Sequence, residues 1–346
     1  MKKFLITGGS GFFGSILKEY LLSREYMCVN IDLEKDETIH RNLTSIVGDI
    51  RNQNTLDRIF CEHGPFDAVF HIAAQLAHVV KDRKFLWESN VNGTENIAKL
   101  CIKHGTRKIV FTSSNCLWGR PFNRPVFESD EPSPVEIYGQ SKLEGEKILL
   151  ENRDYINSII IRCPTIIAAG RLGLLTILFE FIDENRTVWV VGGGENIYQF
   201  IYSKDLVDAC LKALNIQKTE IYNIGSNNVR SFKQVYNYVI DKAGSRSKVG
   251  NLPKEITLLG MKVAHKLGIS PLGPYQYKMI AESFVFDTSK IKNELDWHPT
   301  MTNEDMLLEA YHYYSQHRKE IRNRKGVSAH RQGAKMGIIR VLKWLS

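Results

Sequence analysis

The chain opens on a short apolar run, Phe4 to Ile6, that breaks into glycine and then into a segment with Ile16, Leu17, Tyr20 and Leu21 at helical spacing. This pattern predicts a strand, a tight turn and a helix. Met27 to Ile31, Ser45 to Val47, Ala68 to Ile72, Lys108 to Thr112 and Ser158 to Ile161 read as further strands. Most are continuously apolar, as in strands covered on both faces. Leu56 to Phe60, Phe85 to His104 and Tyr138 to Leu150 read as helices, and Glu34 to Asn42 as a polar loop. Strands alternating with helices in this way predict an α/β fold with a Rossmann-type, doubly wound parallel sheet.

Beyond Arg162 the alternation loosens. Ser203 to Leu214 suits a helix and Ile221 to Ile224 a strand, whereas Gly192 to Gly194 opens no helix and reads as a tight loop. Ser231 to Trp297 is helical with Pro and Gly interruptions, and Asn303 to His317 is a last helix. The expected organisation is a dinucleotide-binding domain over residues 1–165, rejoined by 200–224, and a smaller, mainly helical substrate domain over 166–199 and 225–315. A basic amphipathic tail occupies 316–346.

Composition narrows the function classes. The net charge of +8 sits in the tail, where Arg318 to Ser346 carries nine Lys or Arg against the single acid Glu320. The balanced body argues against a nucleic-acid surface. No apolar stretch reaches the roughly 18 residues of a spanning helix. The six cysteines lack paired spacing, which predicts reduced thiols, no metal site and a cytoplasmic setting.

The first turn, TGGSGFFG, carries the clearest chemistry. Gly8, Gly11 and Gly14 stand three apart between a strand and a helix, so a phosphate can approach the main chain and face the helix N-terminus. Asp32 ends the second strand, where a carboxylate accepts from ribose hydroxyls and repels a 2′-phosphate, favouring NAD over NADP. Tyr138 and Lys142 lie four apart on a predicted helix, hence on one face. A tyrosine acting as a base near neutral pH needs about 4 kcal/mol of preferential phenolate stabilisation, which a lysine cation and an oxidised nicotinamide ring supply. Ser113 and Ser114 close the preceding strand and offer a hydroxyl to the same substrate oxygen. His71 reads as structural, His78 as a weak substrate-side candidate, and Glu144, Glu146 and Lys147 as a solvated helix face.

These residues, with the segments HIAA at 71–74, NVNGTENI at 90–97, FTSSNCLWG at 111–119 and DTSKIKNELDWHP at 287–299, resemble the extended short-chain dehydrogenase/reductases, specifically the NAD-dependent epimerase/dehydratase group. The resemblance spans about 1–310. It implies that Gly8, Gly11, Phe12, Phe13 and Gly14 cradle the NAD pyrophosphate side, that Asp32 holds the adenosine ribose and that Asp49 and Ile50 flank the adenine. It places Ala73, Ala74 and Pro164 along the cofactor. Ser114, Tyr138 and Lys142 would be catalytic, with Tyr138 and Lys142 also meeting the cofactor and Ser114 and Asn115 meeting substrate. Family analogy further implies a homodimer through the helices of Phe85 to His104 and Tyr138 to Leu150.

Departures from the group refine this expectation. The 4,6-dehydratases place an Asp-Glu pair where this chain has Asn115 and Cys116, so a standard dehydratase is disfavoured. Cys116 matches an acid/base cysteine of GDP-mannose 3,5-epimerases, but the favoured reading is a small buried residue beside the sheet, since buried free cysteine is common. Two arginines that grip a nucleotide-sugar diphosphate in many members align with Tyr198 and Tyr277, and Lys278 stands beside the latter. Tyr198 and Lys278 are therefore the expected substrate-side residues. In the tail, MGIIRVLKWL at 336–345 has the pattern of an interfacial helix, and it equally suits a subunit contact or a disordered basic end. The leading expectation is an epimerase acting at carbon 4 of an activated sugar in surface polysaccharide synthesis. Alternatives are a dehydrogenase or epimerase of a lipid-linked sugar or sterol-like alcohol, peripheral at the inner face of the membrane, and a non-catalytic NAD-binding scaffold.

Overall fold

The computed structural model describes residues 1–76, 82–270 and 272–323. Seven parallel strands form the main sheet in the order β10-β6-β5-β4-β1-β2-β3. They are β1 (Lys3–Thr7), β2 (Met27–Asp32), β3 (Leu43–Val47), β4 (Ala68–His71), β5 (Lys108–Ser114), β6 (Asn157–Cys163) and, after three strands outside this sheet, β10 (Glu220–Asn223). The central strands are buried along almost their whole length, as their uninterrupted apolar runs require. At one sheet edge β10 pairs with β6.

Helices cover both faces. On one side α1 (Phe12–Ser23) and α7 (Ser203–Ala213) close a core containing Phe4, Ile6, Leu17, Leu21, Phe70, Val110 and Leu206. On the other, α2 (Gln53–His63), α4 (Gly93–Lys103) and α5 (Ile137–Glu151) close a core containing Leu5, Val29, Leu56, Val69, Ile97 and Phe111. The order of the sheet reverses between β1 and β4, so their C-terminal ends splay and leave a crevice.

The expected long helix at 85–104 is instead three pieces: α3 (Arg83–Trp87), a wider π-helical turn at Glu88–Asn92, and α4. The wider turn carries Asn90 inward, where its Nδ2 donates to Ser141 Oγ at 2.9 Å and to Gln75 O at 3.0 Å. A single side chain thus ties the segment after β4 to α5.

The C-terminal part is mainly helical, as expected, and also holds short strands. β7 (Thr165–Ile167) pairs with β9 (Phe200–Tyr202), and β8 (Val188–Val191) with β11 (Val249–Leu252), in two small parallel sheets. With α6 (Leu175–Asp183), α8 (Phe232–Lys242) and α12 (Asn303–Asn323) they enclose a third core around Phe179, Val239, Leu307 and Tyr314. Gly192–Gly194 is a tight turn with positive φ at all three residues, as expected. Helices α9 (Lys254–Lys266), α10 (Pro274–Met279) and α11 (Ser289–Leu295) complete the chain. The tail at 324–346 and His78 lie outside the described residues.

Candidate active site

The crevice at the strand ends is a cavity of about 410 Å³. Its walls include every residue expected to meet the cofactor: Gly8, Gly11, Phe12, Phe13, Gly14, Asp32, Asp49, Ile50, Ala73, Ala74, Tyr138, Lys142 and Pro164. The glycine turn is fixed by close approach. A Cβ on Gly14 would fall 2.0 Å from Gly8 O, and one on Gly8, at φ +79°, would fall 2.8 Å from Ala73 Cα. Asn30 Oδ1 accepts from Gly9 N at 2.9 Å, and Asp32 Oδ2 accepts from Ser10 N at 2.9 Å, so two β2 side chains hold the turn open beside α1. No side chain caps α1, whose positive N-terminal end faces the turn as an anion site requires. A small-residue cradle with a carboxylate at the tip of β2 fits a dinucleotide. Asp49 is partly engaged, because the Arg51 guanidinium donates to it at 2.6 Å and holds its carboxyl below the usual range once burial is overcome.

On the opposite wall β5 delivers Ser114 and the α5 N-terminus delivers Tyr138. Burial, reinforced by Cys116 and Cys163, pushes the Tyr138 phenol far above its ordinary value, and only a hydrogen bond with Ser114 opposes it. Lys142 is on the same face, but its Nζ donates to Thr112 O at 2.8 Å and lies 4.4 Å from the Phe111 ring centroid. Burial lowers its pKa to about 8. Burial thus favours the protonated phenol of Tyr138 in the cofactor-free site.

Asn115 and Cys116 also line the cavity, with Cys116 N donating to Ser114 Oγ at 3.1 Å. Burial pushes the Cys116 thiol up to about 12, which favours a protonated thiol over a thiolate base. Cys163 lies beside them and donates its thiol hydrogen to Ser113 O at 3.1 Å.

Neither of the two residues expected on the substrate side beyond residue 166 lines this cavity. Tyr198 is not among the residues lining the cavity: its hydroxyl accepts from Asn115 Nδ2 at 2.5 Å and bonds Tyr275 at 2.9 Å, while its ring stacks on Phe232. It is an aromatic support behind the wall. Lys278 is exposed on α10, and Gln276 is the residue of that helix on the cavity. Glu146 is likewise not solvated. It is 1% exposed, pairs with Arg162 at 2.7 Å and accepts from Ser113 Oγ at 2.5 Å.

Sequence reasoning missed Arg171, Glu136 and Gln276, all on the cavity. Arg171 follows the Gly170 turn, lies 5.5 Å from the Phe12 ring centroid and is lowered to about 10 by burial. The signal was a lone arginine within the apolar, glycine-flanked stretch IIAAGRLGLL. Away from the cavity, Asp57, Cys61 and His104 bring their donor atoms within 4.8 Å, although the cysteine spacing predicted no such group. Lys103 Nζ donates to both Asp57 oxygens at 2.8 Å.

Comparison with known proteins agrees with this architecture. The family model described as the NAD dependent epimerase/dehydratase family matches residues 4–225. The chain belongs to this family. Its enzymes use NAD, a group that the cradle described above fits. The uncharacterized protein y4nG of Sinorhizobium fredii is 35% identical over 99% of this chain and 86% of its own. A putative UDP-glucose 4-epimerase of Methanocaldococcus jannaschii is 30% identical over 77% of this chain and 92% of its own. Among solved structures, the Thermotoga maritima UDP-glucose 4-epimerase with UDP-glucose superposes with a TM-score of 0.75 at 24% identity, covering 91% of this chain and 99% of that one. Bordetella bronchiseptica WbmG in complex with NAD and UDP superposes with a TM-score of 0.73 at 22% identity, covering 90% and 94%. At such identities the superpositions speak for the shared fold.

Proposed function

We propose that this family member is an epimerase of a nucleotide-activated sugar, oxidising it transiently at carbon 4, in surface polysaccharide synthesis. The observation that carries the reading is the convergence of Ser114, Tyr138 and Lys142 on the cavity that holds the glycine cradle. When bound, NAD supplies the reversible hydride acceptor and, oxidised, a positive ring that favours the phenolate. Tyr138 takes the proton of the sugar hydroxyl as its carbon gives up hydride, and returns it when hydride comes back to the opposite face. Ser114 hydrogen-bonds the same oxygen in both states, and Lys142, fixed by Thr112, holds the cofactor ribose. Asn115 and Cys116 stand where dehydratases carry their Asp-Glu pair and offer no carboxyl there, which favours epimerisation over water elimination; the carboxyl on this part of the wall is Glu136, just before α5. The relatives named as UDP-sugar 4-epimerases support the carbon and the carrier.

The rest of the reading is proposed with it. The substrate domain comprises 166–199 and 225–315, the protein is a cytoplasmic homodimer, and Trp87 and Ile102, 37% and 39% exposed, belong to its contact. One observation favours a second substrate class. Tyr198 and Lys278 do not line the cavity, so the two positions aligned with the arginines of nucleotide-sugar enzymes place no cation there for a nucleotide carrier. A lipid-linked sugar, with the tail on the membrane, is therefore the competing substrate. Incubation with NAD and separate panels of nucleotide sugars and polyprenyl-diphosphate sugars decides between them. An isomer of equal mass from a nucleotide sugar is expected. Turnover of the lipid-linked panel alone, or net NADH, overturns the leading reading.

A further inference from the structure

Helix α9 shows solvent an apolar row that the described fold leaves uncovered. Ile256, Leu259, Val263 and Leu267 are 74, 64, 48 and 68% exposed. At the helical repeat these four fall within about 80° of one another around the axis. Lys262 and Lys266, both exposed, border the row on one side, and Glu255 is the only acid on the helix. Exposed apolar residues scattered singly need no explanation, but a contiguous row rimmed by polar residues marks a contact surface.

The rim identifies the partner. A helix lying in a bilayer surface pairs an apolar stripe with bordering lysines that reach up to anionic headgroups. Residues 324–346, outside the described structure, repeat the same composition in sequence, with six Lys or Arg, no Asp or Glu, and Ile338, Ile339, Leu342 and Leu345. None of the described helices is long and apolar enough to cross a membrane, so such contact would be peripheral. Helix α9 packs on α10 through His265 and Tyr277, 5.7 Å apart, and α10 carries Gln276 onto the cavity.

We propose that the α9 row and its flanking lysines are a docking surface for an anionic lipid bilayer, one helix removed from the cavity wall. The surface stands whatever sugar is turned over. The test is co-sedimentation of the full-length protein with vesicles of phosphatidylcholine alone or mixed with phosphatidylglycerol, together with measurement of solution mass. Two full-length variants are compared: Ile256→Ser, Leu259→Ser, Val263→Ser and Leu267→Ser combined, and Lys262→Glu with Lys266→Glu. Retained NAD binding in both reports the fold. The wild type is expected on anionic vesicles, released by high salt, and each variant is expected to bind about tenfold less with the tail intact. Failure of the wild type to bind anionic vesicles overturns the proposal, as does unchanged binding in either variant. A fall in solution mass with vesicle binding retained would make the row a contact between copies and overturns it as well.

Discussion

The proposed reaction concentrates its chemistry in one side chain, Tyr138, and the surroundings of that side chain bear on when it is available. Burial raises the phenol and lowers Lys142 to about 8, so the cofactor-free site holds a neutral tyrosine. Replacing Tyr138 with Phe removes the proton acceptor while leaving the ring packing, and is expected to cut kcat roughly 10²–10⁴-fold with little change in NAD binding, measured by turnover and by calorimetry. Gly14→Ala has the opposite signature. Its Cβ would meet Gly8 O at 2.0 Å, within the turn proposed to hold the pyrophosphate. NAD binding should weaken about 100-fold or more, about 3 kcal/mol. Both residues were legible in the sequence because their chemistry is local: a glycine turn and a pair one helical turn apart. Tyr198 and Arg171 were not, since whether a side chain lines a cavity or supports its wall depends on packing between segments distant in sequence.

At the scale of elements, two buried polar assemblies lock the sheet to its helices. His71 at the end of β4 bonds Thr7 Oγ1 of β1 at 2.7 Å and Thr94 Oγ1 of α4 at 2.9 Å. Burial holds its imidazole down to about 3, from an ordinary 6.5. Between those values the unfolded chain binds a proton that the folded chain refuses. Stability therefore falls as pH drops through that window, by about 1.4 kcal/mol per pH unit from this residue. Urea unfolding at pH 7 and pH 5 should show a smaller acid loss in His71→Asn than in the wild type. The second assembly joins β5, α5 and β6 through Ser113, Glu146 and Arg162. Glu146→Ala strands a buried guanidinium and is expected to cost about 3–5 kcal/mol of unfolding free energy. The sequence hid this pair because a glutamate in a charged helical stretch looks solvated until β6 is packed against it. The three-residue strands β7 and β9 were hidden for a related reason: their pairing joins segments 35 residues apart, as in Thr165 with Phe200, and no local period announces it.

Across the whole molecule, the sheet reversal creates the crevice, the glycine turn fills one side of it, and β5 and α5 bring the reactive groups to the other. The fold class was legible from the alternation of apolar strands with helices, whereas the two small sheets of the C-terminal part were not. The most direct test of the functional account uses a nucleotide sugar carrying deuterium at carbon 4, incubated with the protein and NAD, with the product analysed by mass and NMR. Transient oxidation at that carbon predicts an inverted product that keeps its deuterium at carbon 4, with no net NADH, and loss of this conversion in Tyr138→Phe. Inversion with deuterium lost to solvent, or undiminished conversion by Tyr138→Phe, would contradict it.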